Sequence, residues 1–529
     1  MNDGITKAWA EYQAGIDFKN RINLFGEVQE NYRFFEGDQW SGISAPNLPT
    51  PVFNIIKPIG NFKVAQVKDR KLLPNVQVKY MPEVYTLEDS PEQIKKVILR
   101  QVNDYAKFTW NRLKMDFHNM EGLLDAFCSG DYILYNWWNP NVETGQPFKG
   151  DVDIRHVDNV SYFPGNPNIA DVQSQPYIIL AFRELLENVK KLAKGNPLID
   201  SIVSDEETEY QASDTAMIEL DTTKKCTVLL KMWKENEKVM FAKYTRYVEI
   251  QPPTDSGLKL YPLAMMNWTP KKNCCHGVAN VTYLKANQVY INKQMAFTQL
   301  YLLQTAYPKV LFNKTVIPEW SNKVAAAIGV NGPVDGMAKY LNPPTIPFDV
   351  WKGFQETISK TMELDGANDP ALGNISNPDN TSAFIAIREA AIVPLQLQQE
   401  RFYTMMRDLT AIWLDFWLAN YPDGRDITIM IDGQPVTVPF EAAKYKDILF
   451  DVNIEIGEAQ MWSEVNTVKT LDALLQGGQI KLSQYYKRMP DGYIPEKQEL
   501  YEQALQDEQM AEQMAAQQAQ GEVMSGEVA

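Results

Sequence analysis

The residues of this chain best suited to chemistry are few, and their spacing argues against each reaction they suggest. Cys274, Cys275 and His276 have metal-ligand side chains. However, adjacent side chains diverge and do not occupy three tetrahedral corners together, and no second Cys or His pair lies at ligand spacing. The expected role of the cluster is structural or incidental. His118 and His156 are the other two histidines. Both fall in stretches that read as packed α/β scaffold with no nucleophile motif nearby, so no Cys/His pair is expected to react. A phosphate cradle is also missing, because Gly329, Gly332 and Gly336 lack the lysine and the strand-to-helix setting of G-x-x-x-x-G-K-[ST]. Glu206 and Glu207 lie in the acidic run SDEETEYQASD, Ser204 to Asp214, which reads as a solvated loop. No apolar, aromatic-lined cleft is traceable that would hold two carboxylates across a glycosidic bond. The expectation is no catalytic residue, no metal ligand and no cofactor, so any ATP-driven step belongs to a partner.

Composition narrows the classes further. At 529 residues, with 45% hydrophobic and 11% aromatic side chains, the chain can bury a large core and is not generally disordered. Its 51 basic against 67 acidic residues leave a formal charge of −16, which excludes a protein that coats nucleic acid by neutralising phosphates. Four cysteines and no recognisable signal peptide point to a reducing cytoplasm without a disulfide framework. The most apolar windows, Ala296 to Phe312 and Leu409 to Tyr421, fall short of about 18 uninterrupted apolar residues and carry Gln304, Lys309 or Asp415, so no membrane span is expected.

The elements that position these residues follow from periodicity and punctuation. Residues 1–45 read as an amphipathic helix closing in Tyr32, Phe34, Phe35 and Trp40, followed by a proline-punctuated extended run, Pro46 to Pro58. Asn61 to Arg70 and Pro91 to Phe127 read as helix, the second with an apolar seam of Ile94, Val97, Ile98, Val102 and Tyr105. Short β-rich runs follow at Tyr132–Trp138, Val152–His156, Tyr177–Phe182, Thr227–Trp233 and Val239–Ile250. Val281 to Thr305 then predicts about 38 Å of helix, with Leu284, Ile291, Met295 and Leu302 on one side and Asn287, Asn292 and Gln294 elsewhere. Pro308 ends it. Residues 309–348 hold two extended runs and a small helix around Trp320 to Ile328, and Val350 to Leu364 returns as an antiparallel helix.

The Gly/Pro/Asn-rich stretch ANDPALGNISNPDNTS, starting at Ala367, cannot pack as an element, and a helix of roughly forty residues follows from Ser382 to Tyr421, bent at Pro394. Its aromatics Phe402, Trp413, Phe416 and Trp417 read as core. Strands at Ile427–Ile431 and Ile448–Ile456, helices at Ser463–Gln476 and Leu482–Arg488, and a Gln/Glu/Ala/Met-rich helix from Glu496 fraying into a tail complete the chain.

This order of parts, with its local phrases, resembles the portal proteins of tailed bacteriophages over nearly the whole chain. NYRFFEGDQW and PVFNIIKPIGNFKVAQV look like the family's opening helix and the strand and helix after it. HVDNVSYFPGNPNIADVQSQPYIILAFRE is similar to the wing strand and loop, and CHGVANVTYLKANQVYINKQ to the start of the first stem helix. NTSAFIAIREAAIVPLQLQQERF is similar to the helix after the tunnel loop, and EIGEAQMWSEVNTVKTLDALLQGGQIKLSQYY to the approach to the crown. The collinearity of these phrases carries the likeness.

The resemblance implies an α+β portal-type subunit. After an N-terminal helical segment (1–45), its parts would be an α/β wing (46–270), a first stem helix (271–305), a small clip (306–349) and a second stem helix (350–366). A tunnel loop (367–381), the long kinked helix (382–421), returning wing strands (422–460), a helical crown (461–520) and a disordered tail (521–529) complete it. It further implies a homo-oligomeric ring, typically of twelve subunits, that replaces a pentamer of the major capsid protein at one vertex of the virion and is assembled in the host cytoplasm. Double-stranded DNA would pass through the centre, with the terminase large subunit and then the head-to-tail connector docking on the clip and no membrane involved. By carry-over, Asn368, Asp369, Leu372, Asn374, Asn377, Asp379 and Asn380 would face the channel, and Glu319, Trp320 and Lys323 would serve clip docking. Lys285, Lys293, Lys352 and Lys360 on the stem would either meet DNA phosphates, or pair with carboxylates of neighbouring subunits or face water. Two other readings remain: a cytoplasmic α/β enzyme whose mobile lid is the 367–381 loop, and a structural tail or baseplate component.

Overall fold

The computed structural model describes residues 3–44, 48–80, 91–143, 149–205, 224–306, 309–317, 335, 338–341, 348–367, 393–421, 425–431, 434–440, 445, 448–489 and 494–510. It is a mixed helix-and-sheet protein of the α+β class. The chain divides into two units, residues 1–68 with 74–454 and residues 69–73 with 455–529.

In the larger unit, α1 (Asp3–Arg21) buries Ile5, Ala8, Tyr12 and Ile16 at helical spacing. They pack against Phe163, Ile179, Leu229, Ala242 and Tyr244 of a five-stranded sheet. That sheet is antiparallel throughout: β4 (Tyr162–Pro164), β5 (Tyr177–Leu185), β6 (Lys225–Glu235), β7 (Lys238–Tyr244) and β8 (Glu249–Asp255) lie in chain order. The single run read as Val239–Ile250 is therefore two strands. The expected N-terminal helix is also two. Asn23 adopts the left-handed conformation at φ 54° and starts α2 (Leu24–Glu36), which stops where Gly37 at φ 101° donates its N–H to Arg33. Phe34 and Phe35 are buried and Trp40 donates to the Pro51 carbonyl, so the aromatic cluster packs as expected.

After α3 (Ile56–Lys68) comes β1 (Arg70–Tyr80), a strand the sequence reading did not anticipate. It pairs with β14 (Leu449–Ala459). The predicted helix Pro91–Phe127 divides into α4 (Pro91–Arg112) and α5 (Met115–Ser129) at Lys114, φ 50°. Of the expected seam, Ile98, Val102 and Tyr105 are buried, whereas Val97 is exposed. A three-stranded sheet of β3 (Asp151–His156), β2 (Asp131–Asn139) and β9 (Leu263–Asn267) follows, and α6 (Leu186–Leu192) lies between β5 and β6 in the chain.

The start of the acidic run is not a solvated loop. Asp205 is largely buried, pairs with Arg183 and accepts the Thr227 N–H at 2.7 Å. Its neighbours Glu206 and Glu207 lie outside the described residues.

Two helices match the expected bounds to within a few residues, α7 (Asn280–Ala306) and α8 (Phe348–Leu364). Between them in the chain, β10 (Lys309–Phe312) and β11 (Ala338–Leu341) pair antiparallel. At Pro394, where a bend was expected, the described chain forms a 3-10 turn, Val393–Leu395, leading into α9 (Gln396–Asn420). Proline lacks the donor and the space for an interior position, so the α-helix begins just after it. The portion expected from Ser382 to Ile392 lies outside the described residues. Phe402, Trp413, Phe416 and Trp417 are all buried, and Trp413 Nε1 donates to Asn136 at 3.0 Å. Burial of each such ring is worth about 1.5–3 kcal/mol.

The β12 (Arg425–Ile431) and β13 (Gln434–Phe440) hairpin returns to the larger unit. The smaller unit is largely helical, with α10 (Gln460–Gln476), α11 (Leu482–Arg488) and a helix over 497–510. Ser483 donates to Glu508 from both its backbone N–H and its hydroxyl, at 2.9 and 2.7 Å, and Tyr485 donates to Asp472 at 2.6 Å. Among the described residues no helix is long and apolar enough to cross a membrane.

Candidate functional site

The α7/α8 pair carries the four expected stem lysines, and its placement rests on side-chain amides. On one face of α7, Val281, Leu284 and Ile291 alternate with Asn280, Gln288 and Asn292, all buried. Asn292 was expected to face away. It is buried because it and Gln288 supply hydrogen bonds to a passing extended segment that has no sheet partner. Gln288 accepts from Ile55 N–H at 3.0 Å and donates to Phe53 O at 2.7 Å, and Asn292 accepts from Phe53 N–H at 3.1 Å. Asn292 also donates to Gln39 at 2.5 Å. Buried backbone groups need such partners. Gln288→Leu should therefore cost about 2 kcal/mol or more through two orphaned backbone groups, seen as a lower urea midpoint; an unchanged midpoint would show that these amides do not hold the segment.

Cross-helix contacts fix the direction of the pair. Asn287 donates to Thr361 at 3.2 Å, and Asn280, at the start of α7, donates to both oxygens of Asp365 just beyond α8 at 3.1 Å. Rising numbers on α7 meet falling numbers on α8, so the helices are antiparallel. Lys63 of α3 completes the anchor, 2.9 Å from Asp365 and itself buried, and burial lowers its pKa against the pull of Asp365.

Gly366, at φ 78°, then ends the helix. Its N–H bonds to Glu363 O, and the Ala367 N–H reaches Met362 O at 2.9 Å, a Schellman closure. A Cβ on Gly366 would stand 3.2 Å from the Cβ of Pro394. The chain thus leaves at Ala367 and re-enters at Val393 beside its point of departure.

The expected loop residues Asn368, Asp369, Leu372, Asn374, Asn377, Asp379 and Asn380, and the expected docking residues Glu319, Trp320 and Lys323, lie outside the described residues. The four lysines are described. Lys285 pairs with Glu30, Lys352 with Glu356 at 3.8 Å, and Lys360 with Glu363 at 2.6 Å, so their carboxylates come from the same chain. Lys293 is exposed and has no ion-pair partner among the described residues. The sequence reading missed a feature of α7: Tyr283, Tyr290 and Phe297 recur every seven residues, which is nearly two helical turns, and all are at least half exposed. Leu302, expected on the packed side, is exposed with Leu303.

Cys274, Cys275 and His276 are buried at the approach to α7. His276 Nδ1 lies 2.8 Å from Asp131, whose carboxylate also accepts from Asn267, Gly277 and Asn159. The buried carboxylate thereby ties together β2, β9 and the turn before α7. His276 borders a cavity of about 160 Å³ with Glu27, Asn31, Lys271, Cys274 and Thr282.

Nearby, burial and the Asp158 charge push the Asp125 carboxyl up to about 7, against hydrogen bonds from Tyr32 and Ser129. The folded chain then holds a proton that the unfolded chain releases between about pH 4 and 7, so this group's contribution to stability falls as pH rises through that window. Asp125→Asn should flatten that fall, as read by urea unfolding at pH 5 and pH 8; an identical fall in the variant would remove Asp125 as its source.

No protein-family model matches the chain, and no curated protein matches it.

Proposed function

We propose that this chain is the subunit of a portal-type ring, a structural channel at a virion capsid vertex through which double-stranded DNA is packaged and released. The observation that carries this reading is the antiparallel pair α7/α8, joined through an insert containing the β10/β11 hairpin, with Tyr283, Tyr290 and Phe297 exposed along α7. A lone chain gains nothing from three aromatics in line on its surface, whereas adjacent copies around a ring bury them. In this reading α7 and α8 are the stem, residues 306–349 the clip, residues 46–270 the wing against the major capsid protein, and residues 461–520 the crown.

The electrostatics support sliding rather than gripping. With a net charge of −16 and Lys285, Lys352 and Lys360 matched by carboxylates of their own chain, a duplex meets no strong phosphate register. The terminase large subunit supplies ATP hydrolysis and docks on the clip, where the head-to-tail connector later replaces it. Mass photometry and negative-stain imaging test the reading: the expected result is closed rings, of about twelve copies by the resemblance, with an axial hole and no ATPase activity. A stable monomer at micromolar concentration, or intrinsic ATP hydrolysis, would overturn it.

A further inference from the structure

The geometry points to a divalent transition-metal site built from His118 and Glu121 of α5 and His156 at the end of β3. The chain has three histidines in 529 residues, and two of them, 38 positions apart, meet here with His118 Nδ1 3.2 Å from His156 Nε2. Glu121 Oε2 lies 3.9 Å from His118 Nδ1, and the three ligand atoms fall within 4.8 Å of one another. Tetrahedral coordination with metal–nitrogen bonds of about 2.0–2.1 Å places neighbouring ligand atoms about 3.3 Å apart. The two imidazoles already stand at that separation. The Glu121 side chain is half exposed and three positions along the same helical face, so a rotamer change closes the remaining gap.

The surroundings brace the two rings. Tyr132 stacks on His156 with centroids 5.4 Å apart and planes 16° from parallel, and its hydroxyl donates to Asn119 at 3.0 Å, next to His118. Tyr132 reaches this place because Gly122 has no Cβ, which would otherwise stand 2.0 Å from the tyrosine ring. One aromatic therefore holds the strand histidine while contacting the helix that carries the other two ligands. Its residues sit on separate elements, brought together by the turn of α5 into β2 at Gly130 and by the pairing of β2 with β3.

Two imidazoles and one carboxylate suit Zn²⁺, Co²⁺, Ni²⁺ or Fe²⁺ rather than Mg²⁺ or Ca²⁺. Three protein ligands leave one tetrahedral position for water on this partly exposed face. The metal would clamp α5 to β3 in addition to their chain connection. This inference does not depend on the ring reading.

The test uses the full chain, freed of metal by chelator and dialysed, then titrated with ZnCl₂ by calorimetry and with CoCl₂ by visible absorption. The expected result is one metal per chain at micromolar affinity, with weak Co²⁺ d–d bands and no thiolate charge-transfer band. Glu121→Gln, at a half-exposed position that leaves the fold intact, should weaken binding about tenfold or more, and His156→Phe, which keeps the stack on Tyr132, should abolish it. Cys274→Ser with Cys275→Ser should leave it unchanged. Absence of saturable binding, full binding by both Glu121→Gln and His156→Phe, or a thiolate band lost with the cysteines would reduce the histidine pair to an internal hydrogen bond and overturn the proposal.

Discussion

Tyr290→Glu combined with Phe297→Glu should yield a folded chain that no longer forms rings. The wild-type side chains are 50% and 62% exposed, so little packing within the chain is lost. In the proposed ring each subunit buries the α7 face of one copy against its neighbour, and aromatic burial contributes about 25 cal/mol per Å². Replacing two rings with carboxylates removes that gain and places desolvated charge in every interface, so the effect is multiplied around a closed assembly. Mass photometry should report single chains, with circular dichroism unchanged. Rings that persist in the double variant would show that the exposed heptad line is not the subunit interface.

The same residues show where sequence reading succeeds and fails. The limits of α7 and α8 were legible because periodic apolar positions run between strong punctuation, Pro308 on one side and Gly366 on the other. Orientation within α7 was less so. Asn292 reads as solvent-facing by type, but it is buried to pair a backbone segment some 240 positions earlier, and nothing in the local pattern announces that partner. Strand β1 was missed for a related reason. RKLLPNVQVKY contains Pro74, which counts against a strand, and its partner β14 begins about 370 residues later.

Asp205 shows the limit of composition. It opens an acidic run that reads as solvated, yet Arg183 and the Thr227 backbone hold it inside. The heptad line was visible in the sequence, but an aromatic every seventh residue reads equally as core or as interface until the packed face of the helix is known. The histidine pair carried no local signal at all, because the contact joins a helix to a strand through tertiary folding.

The largest functional effect is expected from the loop that follows α8. In the proposed channel, deleting Leu372 to Pro378 should leave assembly and thermal stability nearly unchanged but impair packaging or let packaged DNA slip back out. The structural argument lies in the flanks. Lys63 and Asn280 hold Asp365, Gly366 closes the helix, and Pro394 sits against Gly366, so both ends of the intervening segment are fixed beside each other by contacts that the deletion does not touch. Shortening a loop between fixed, adjacent ends changes closure entropy by only about 1 kcal/mol or less. Loss of function without loss of assembly would then locate the defect in the bore. A charge variant separates constriction from binding: lysines introduced at Asn374 and Asn377 should slow translocation, and the slowing should fade as salt rises. If loop-deleted rings package and retain DNA like the parent, residues 367–381 do not form the constriction, even where the rings themselves assemble as expected.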